Sequence, residues 1–236
     1  MAAVKTKVTP IVALDVKSSA DAKRFVLELG DLCRYYKIGS ELYTAEGPGI
    51  VREVRATGAS VFLDLKFFDI PNTVRGAARS AARLGVQLLT VHAQGGRAMM
   101  EAAVAGVRDE RSKCEVLAVS ILTSMDSDAV SSVWGRKVPD VEAEVLRLAE
   151  LAHQSGVHGV VCSGAEAPAV RERFGEGLAT LVPGVRLAGD AKQDQARVVT
   201  PGQAAAAGAR YIVVGRTVTG SASPREAMSS VLADLP

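Results

Sequence analysis

Charged residues of both signs interrupt an apolar stretch in the first third of the sequence. In the segment FLDLKFFDIPNT, Phe62 to Thr73, Asp64, Lys66 and Asp69 stand among mainly apolar residues. Burying an isolated ion is strongly unfavourable, but alternating charges can hold one another ionised. A salt bridge that only fixed the register of a strand would usually stabilise no better than apolar residues do. The pattern therefore indicates a site built for chemistry.

Side chains alternate along a strand, which places Phe62, Asp64 and Lys66 on one face. The opposite face is wholly apolar and consists of Val61, Leu63, Leu65 and Phe67. We therefore expect the apolar face to pack against helices and the charged face to point inward. Asp69 comes after the strand, where Pro71 suits the first turn of a helix, so Asp69 is expected to point away from the interior. A role for Asp69 as a helix cap remains the alternative.

The first two strand-like segments repeat this arrangement. In TPIVALDV, Ile11, Ala13 and Asp15 share one face, and the charge again comes last. Lys37 closes the short segment that follows. Three neighbouring strands thus bring two carboxylates and two ammonium groups to the same end of a parallel sheet, and these are Asp15, Lys37, Asp64 and Lys66.

Short β-type segments recur along the chain with helical material between them. The predicted strands are Thr9–Val16, Tyr35–Gly39, Ser60–Phe67, Gln87–Ala93, Glu115–Leu122, Gly159–Ser163, Ala179–Gly184 and Tyr211–Gly215. Val74–Leu84 and Ala143–Gln154 are examples of the helical segments. Eight strand–helix units predict an α/β fold, a (β/α)8 TIM barrel with one domain over residues 1–236 and the charges at its active-site mouth. An open doubly wound sheet is the alternative, but no GxGxxG follows the first strand.

Two connections between these segments are unusually long. They are Ser124–Pro139, which is polar and contains glycine, and Gly184–Val198. Loops of this size in a compact barrel are more often functional lids than tolerated insertions, so we expect both to lie beside the active site.

Composition restricts the partners and the compartment. The net charge of +2 gives no footprint for nucleic acid or for an anionic membrane, and no stretch approaches the roughly 20 apolar residues of a membrane span. The segment MAAVKTKVTP lacks the apolar core of a signal peptide, which favours a cytoplasmic protein. Cys33, Cys114 and Cys162 form no CxxC pair and are interpreted as packing residues in a reducing compartment.

The run DLKFFDIPNT resembles the signature D-x-K-x-x-D-I-P-N-T of the orotidine 5′-phosphate decarboxylase family. The first part of that signature is shared with a wider superfamily, but its extension through Ile70, Pro71, Asn72 and Thr73 is more specific. The resemblance continues in order along the chain, in ALDV with Asp15, YKIGSEL with Lys37, ILTSM with Thr123, VPGVR with Arg186, DQARVVTP with Gln195, and YIVVGRTVT with Gly215 and Arg216.

The resemblance implies decarboxylation of orotidine 5′-monophosphate to uridine 5′-monophosphate in pyrimidine biosynthesis, without a cofactor or a metal. It implies that Lys66 protonates C6 of the pyrimidine, with Asp64 and Lys37 beside it, and that Asp69 reaches the other subunit's site in a homodimer with shared active sites. The remaining substrate contacts that it implies are Asp15 and Lys37 on the ribose, and Asp64, Ile70, Pro71, Asn72 and Thr73 around the site. It further implies Thr123 on the pyrimidine, Gln195 as a bridge between pyrimidine and phosphate, and Arg186, Gly215 and Arg216 on the phosphate.

Two positions depart from the family pattern. Phe68 stands where many relatives have histidine, and alternation places it on the inner face. Val182 stands where threonine is common. Neither touches the proposed catalytic charges, so the implied activity is not affected.

Other functions stay open at this point. A keto-gulonate phosphate decarboxylase of the same superfamily shares D-x-K-x-x-D but uses magnesium, and His92 could serve as a ligand, although a histidine at a strand end is more often a hydrogen-bonded wall residue. His153 and His158 have no partner pattern. A catalytically silent nucleotide-binding barrel would be marked by loss of Lys66 or Asp64, which are both present. A Schiff base on Lys66 is disfavoured because flanking aspartates would keep the amine charged.

Overall fold

The computed structural model describes residues 8–189 and 198–236. Within these residues, eight parallel strands close into a barrel in chain order, with β1 paired to β8. The strands are β1 (Thr9–Ala13), β2 (Tyr35–Gly39), β3 (Ser60–Phe67), β4 (Leu88–His92), β5 (Glu115–Val119), β6 (Gly159–Val161), β7 (Ala179–Val185) and β8 (Tyr211–Val214). The predicted (β/α)8 barrel is confirmed.

Helices surround the barrel and connect its strands. They are α1 (Ser19–Leu29), α2 (Ser40–Glu46), α3 (Gly49–Ala56), α4 (Pro71–Arg83), α5 (Gly96–Asp109), α6 (Ser127–Trp134), α7 (Val141–Gln154), α8 (Ala167–Phe174), α9 (Pro201–Ala206), α10 (Arg216–Thr219) and α11 (Pro224–Ala233). Short 3₁₀ turns lie at Gly30–Leu32, Ala93–Gly95 and Gly175–Gly177. Proline in the first turn starts α4, as Pro71 predicts, since that position needs no backbone donor.

The apolar residues divide into two cores on opposite faces of the sheet. The core inside the barrel contains Ile11, Ala13, Phe62, Leu88, Leu117, Val119, Val161, Leu181, Tyr211 and Val213. The core between the strands and the helices includes the neighbouring positions Val12, Leu14, Val61 and Leu63. The alternation predicted for the first and third strands is therefore confirmed, and it points the inward positions at the strand ends toward the mouth of the barrel.

The sequence analysis treated Ser124–Pro139 as a long loop, and this is wrong because the segment contains the helix α6. The carboxylate of Asp126 accepts the backbone N–H of Ala129 and caps the first turn, and Val130 is buried against the core. Most of the second predicted loop, Gly184–Val198, lies outside the described residues. The predicted strand ends agree with the structure to within three residues.

The other sequence interpretations concern packing. Cys33, Cys114 and Cys162 are buried, as expected for packing residues. His158 Nδ1 accepts the backbone N–H of Val116 at the N-terminal end of β5. In the part of the chain that the structure describes, no helix has the length and apolar character that crossing a membrane requires.

Candidate active site

A cavity of about 490 Å³ opens at the C-terminal ends of the strands. Its lining includes eight of the residues that the sequence analysis selected, namely Asp15, Lys37, Asp64, Lys66, Thr123, Arg186, Gly215 and Arg216. They come from the ends of β1, β2, β3, β5, β7 and β8, so residues distant in sequence meet because every parallel strand ends at the same rim.

Four charged side chains form a row of alternating sign on one side of the cavity. Lys37 Nζ lies 2.8 Å from Asp15 Oδ1 and 3.8 Å from Asp64 Oδ2. Lys66 Nζ lies 2.8 Å from the same Asp64 oxygen. The inner two side chains, Lys37 and Asp64, are 11% and 12% exposed, whereas Lys66 is 36% and Asp15 is 56% exposed. The buried charges are thus compensated within the row, as the sequence pattern requires.

Opposing effects act on the pKa of the Asp64 carboxylate. Burial raises its pKa, but the charges of Lys37 and Lys66, together with hydrogen bonds from Lys66 and the Thr90 hydroxyl, outweigh burial and hold the pKa below its ordinary value. Asp64 is therefore ionised at neutral pH. It gives the row a fixed negative charge between two ammonium groups.

The backbone of Lys66 adopts an unusual conformation. Its φ is 50°, in the left-handed region that non-glycine residues rarely occupy at a cost of about 1–3 kcal/mol. The pairing of β3 with β4 shifts register between Leu63 and Phe67, around this residue. The backbone N–H of Lys66 donates to Thr90 Oγ1 at 3.0 Å, and the Thr90 hydroxyl donates to Asp64 Oδ1 at 2.9 Å.

The close approach of Lys37 to Asp15 depends on Gly39. A methyl group added to Gly39 would lie 2.8 Å from Lys37 Nζ and 3.2 Å from Asp15 Oδ1. The ammonium group of Lys37 occupies the space that any larger side chain would need. Glycine at the end of β2 is therefore part of the site, even though its φ of −94° is open to other residues.

Another part of the cavity lining, at the ends of β7 and β8, is cationic. Arg186 is buried at the end of β7, where its backbone N–H donates to the carbonyl of Val199. Gly215 is the residue before α10, and Arg216 is the first residue of that helix. Arginine and the first backbone N–H groups of a helix both suit an anionic group such as a phosphate. The lining also includes an apolar wall of side chains, which are Val119, Ile121, Leu122, Val161 and Leu181.

The segment after β3 does not enter the cavity of its own chain. Asp69, Ile70, Pro71, Asn72 and Thr73 are all exposed and are absent from the lining. Asp69 Oδ1 accepts the backbone N–H of Ile70, which is the residue that caps α4. The expectation that Asp69 points away from the interior agrees with this placement. Gln195 lies outside the described residues.

Alternation does not extend to Phe68, which the sequence analysis placed on the inner face. The strand ends at Phe67, and Phe68 is 62% exposed with its ring 5.6 Å from the His92 ring. Phe67 still packs on the outer side as predicted, but the strand ends before Phe68, so alternation does not reach this residue and that part of the prediction is wrong. Val182 is buried in the core between strands and helices, away from the charges.

His92 lies beside the charged row at the end of β4. Burial lowers its pKa, the positive charge of Lys66 lowers it further, and the carboxylate of Asp64 partly opposes these effects. The imidazole is therefore mainly neutral at pH 7. Among residues 8–189 and 198–236, no cluster of three or more His, Cys, Asp or Glu has the arrangement of a metal site.

Sequence reasoning missed Thr90, Gly39 and the apolar wall. The signal for Thr90 was available in LLTVH, because Leu88, Thr90 and His92 share the inward parity of β4. The signal for Gly39 was weaker, since a glycine at a strand end usually marks a turn. Only the geometry of Lys37 gives it a further role.

Comparisons with known proteins agree over more than nine-tenths of the chain. The model of the Orotidine 5′-phosphate decarboxylase / HUMPS family matches residues 9–231. Orotidine 5′-phosphate decarboxylase of Anaeromyxobacter sp. (strain K) is 49% identical over 223 residues, which cover 94% of this chain and 96% of that protein. The protein of the same name from Halorhodospira halophila is 48% identical over 226 residues, 95% of this chain and 94% of that protein. The crystal structure of orotidine 5′-phosphate decarboxylase from Lactobacillus acidophilus is similar with a TM-score of 0.84 and 33% identity, covering 97% of this chain and 99% of that one.

Proposed function

The chain belongs to the Orotidine 5′-phosphate decarboxylase / HUMPS family, and we propose that it decarboxylates orotidine 5′-monophosphate to uridine 5′-monophosphate in pyrimidine biosynthesis. The observation that carries this proposal is the alternating row of Asp15, Lys37, Asp64 and Lys66 at the mouth of the barrel. The names of the relatives support the substrate, and the match over residues 9–231 supports one catalytic domain.

Lys66 is the proposed proton donor. The bond between C6 and the carboxylate carbon breaks, its electron pair stays on C6, and carbon dioxide leaves. The resulting carbanion lies in the ring plane with little delocalisation, so it needs a positive charge and a proton at one point, which an ammonium group supplies. C6 takes the proton from Lys66 Nζ, and solvent returns a proton to the amine, which is supported by the 36% exposure of this side chain.

The rest of the row acts as a preorganised field. The ionised carboxylate of Asp64 holds the Lys66 ammonium 2.8 Å away, and Lys37 compensates that carboxylate from its other side. Charges that are fixed before the reaction need no reorganisation when the carbanion forms, so they favour the transition state over the substrate. In this proposal Asp15 and Lys37 also bind the ribose hydroxyls.

The cationic side of the cavity is the proposed phosphate site. Arg186, Gly215 and Arg216 bind the phosphate, Thr123 contacts the pyrimidine, and Gln195 bridges the two groups. The phosphate is remote from the bond that breaks, so its binding energy serves to position the substrate and to order the loops around it. The position at the ends of β7 and β8, where barrels of this kind commonly bind phosphate, supports this assignment.

We further propose that the active protein is a homodimer with shared active sites. The segment from Asp69 to Thr73 is exposed and does not line the cavity of its own chain. Phe68 and Ile70 add two large apolar side chains, 62% and 67% exposed, beside it. An exposed apolar surface beside a segment that does not reach its own cavity favours a two-fold contact in which each Asp69 enters the partner's site.

Mixing two inactive variants tests the shared site. Lys66→Ala removes the proton donor and Asp69→Ala removes a carboxylate of the neighbouring site, so each homodimer should be nearly inactive. Random subunit exchange should restore activity toward about a quarter of wild type, because half the dimers are mixed and one of their two sites has both native residues. Native mass spectrometry checks the exchange. Confirmed exchange without recovered activity would show that Asp69 serves its own chain.

The loss of ultraviolet absorbance of orotidine monophosphate tests the reaction itself. After dialysis against a chelator, purified protein should convert this substrate completely to uridine monophosphate. Activity that is lost with the chelator and returns only with Mg²⁺, or activity on keto-gulonate phosphate alone, would assign the chain to the metal-dependent branch of the superfamily. Binding of uridine monophosphate without turnover would indicate a silent nucleotide-binding barrel.

A further inference from the structure

Thr90 contacts two functional groups of the charged row but does not line the cavity. It lies on β4, and its side chain is almost fully buried, with the residue 1% exposed. Its hydroxyl oxygen accepts the backbone N–H of Lys66 at 3.0 Å, and its hydroxyl proton is donated to Asp64 Oδ1 at 2.9 Å. One hydroxyl group on β4 thus holds the backbone of one residue and the carboxylate of another on β3.

The backbone of Lys66 needs such a contact. Its φ of 50° is unfavourable for a residue with a Cβ atom, and the β3–β4 pairing shifts register around it. A buried backbone N–H that leaves the strand ladder needs another acceptor, and the Thr90 hydroxyl supplies it. Because the carboxylate of Asp64 in turn holds Lys66 Nζ at 2.8 Å, the backbone and the tip of Lys66 are fixed by one connected set of hydrogen bonds.

We propose that Thr90 is a positioning residue for decarboxylation, which holds Lys66 in its left-handed conformation and orients Asp64 so that the ammonium group points at the reacting carbon. Thr90 is absent from the cavity lining, so it acts through these two residues and not on the substrate. The expected loss of kcat rests on the proposed function. The claim that the Thr90 hydroxyl maintains the Lys66 conformation does not depend on the proposed function.

Substitutions that differ by the hydroxyl group alone test the proposal. Thr90→Val keeps the shape but removes both hydrogen bonds, and kcat for orotidine monophosphate should fall roughly 100-fold, the effect of a displacement of about 1 Å at a reacting group. KM should change little, because the phosphate side of the cavity is untouched. Thr90→Ser should recover most of the kcat. All variants should bind uridine monophosphate with wild-type stoichiometry, which excludes a loss of folded protein.

Thr180 provides a matched control. It is also a buried threonine on a strand, 2% exposed, and its hydroxyl donates to the carbonyl of Gly208 at 3.3 Å, outside the charged row. Thr180→Val should therefore leave kcat close to that of wild type. If Thr90→Val does not fold, Thr90→Ala and Thr90→Ser form the deciding pair, since they differ by one oxygen atom.

The proposal is overturned if Thr90→Val keeps kcat within about threefold of wild type, or if the serine variant is as impaired as the valine or alanine variant. A crystal structure of Thr90→Val distinguishes failure of the positioning role from failure of the proposed function. If wild-type protein proves inactive on orotidine monophosphate, the crystal structure still decides whether Thr90 positions Lys66. A changed Lys66 φ or a lost Asp64 contact supports the positioning role, and an unchanged Lys66 overturns it.

Discussion

Removal of the Asp64 charge should show that the row is a coupled system. Asp64→Asn leaves Lys37 and Lys66 facing each other without the carboxylate that lies 3.8 Å and 2.8 Å from them. Breaking a buried ion pair by removing one partner costs about 3–5 kcal/mol, because an uncompensated charge remains in the interior. We expect the free energy of unfolding of Asp64→Asn to fall by this amount.

A second substitution, Lys37→Met, should cost less in the Asp64→Asn background than in the wild type. At an effective dielectric constant of about 20, two unit charges at the Lys37–Asp64 distance interact by about 4 kcal/mol. Lys37→Met has nearly the same length without the charge, so in the double variant the Lys37–Lys66 repulsion is gone. The two substitutions should therefore be non-additive, and the coupling free energy should be about 2–3 kcal/mol.

Urea unfolding followed by circular dichroism measures the four corners of this cycle. All samples need the same protein concentration, because dimer formation would otherwise change the apparent stability. The exposed pair of Lys23 and Glu53, 3.0 Å apart, gives a control cycle with Lys23→Met and Glu53→Gln, for which the coupling should be below about 1 kcal/mol. Additivity of the Lys37 and Asp64 substitutions within about 0.5 kcal/mol would refute the coupled row.

Three further results are expected. Gly39→Ala should fold normally but lose on the order of tenfold in kcat, because the added methyl group displaces the Lys37 ammonium. Gly49→Ala, whose methyl group would meet nothing within 4 Å, should keep the wild-type kcat. Equal kcat values for the two variants would count against the close approach of Lys37 to Gly39. Arg216→Ala should weaken binding of orotidine monophosphate by about 1.5–3 kcal/mol by calorimetry and leave orotidine binding unchanged, and equal losses would mean that Arg216 holds the fold. NMR titration should show pKa values of His92 and His158 below the ordinary value of 6.5. The unfolded chain then binds more protons than the folded chain, so stability that is present above pH 6.5 is lost as the pH falls. A pKa at or above 6.5 for either histidine would contradict this expectation.

The charged row could be predicted from the sequence because it depends on two regular features. Residues two apart on a strand share a face, which groups Asp64 with Lys66, and parallel barrel strands end at one rim, which adds Asp15 and Lys37. Neither feature requires knowledge of the register between strands. Arg216, two residues after the last strand, was implied only by the family resemblance.

Features that depend on register or on another chain could not be predicted this way. The left-handed φ of Lys66 lies where β3 and β4 shift against each other, so the hydrogen bond from its backbone N–H to Thr90 does not follow from alternation. Phe68 comes after the end of β3, where alternation no longer applies. The helix α6 was missed because its polar sequence is typical of a loop and only Asp126 and the buried Val130 mark it. The proposed role of Asp69 concerns a second subunit, about which one chain's periodicity carries no information.

Release of labelled carbon dioxide from carboxyl-labelled orotidine monophosphate, in the presence of a chelator, tests the central claim most directly. Wild-type protein should release carbon dioxide and form uridine monophosphate in equal amounts. Lys66→Ala should be slower by about 10³-fold or more, because the proton donor and its charge are both lost. Release by Lys66→Ala at the wild-type rate, or release by wild type only after Mg²⁺ is added, would contradict the account.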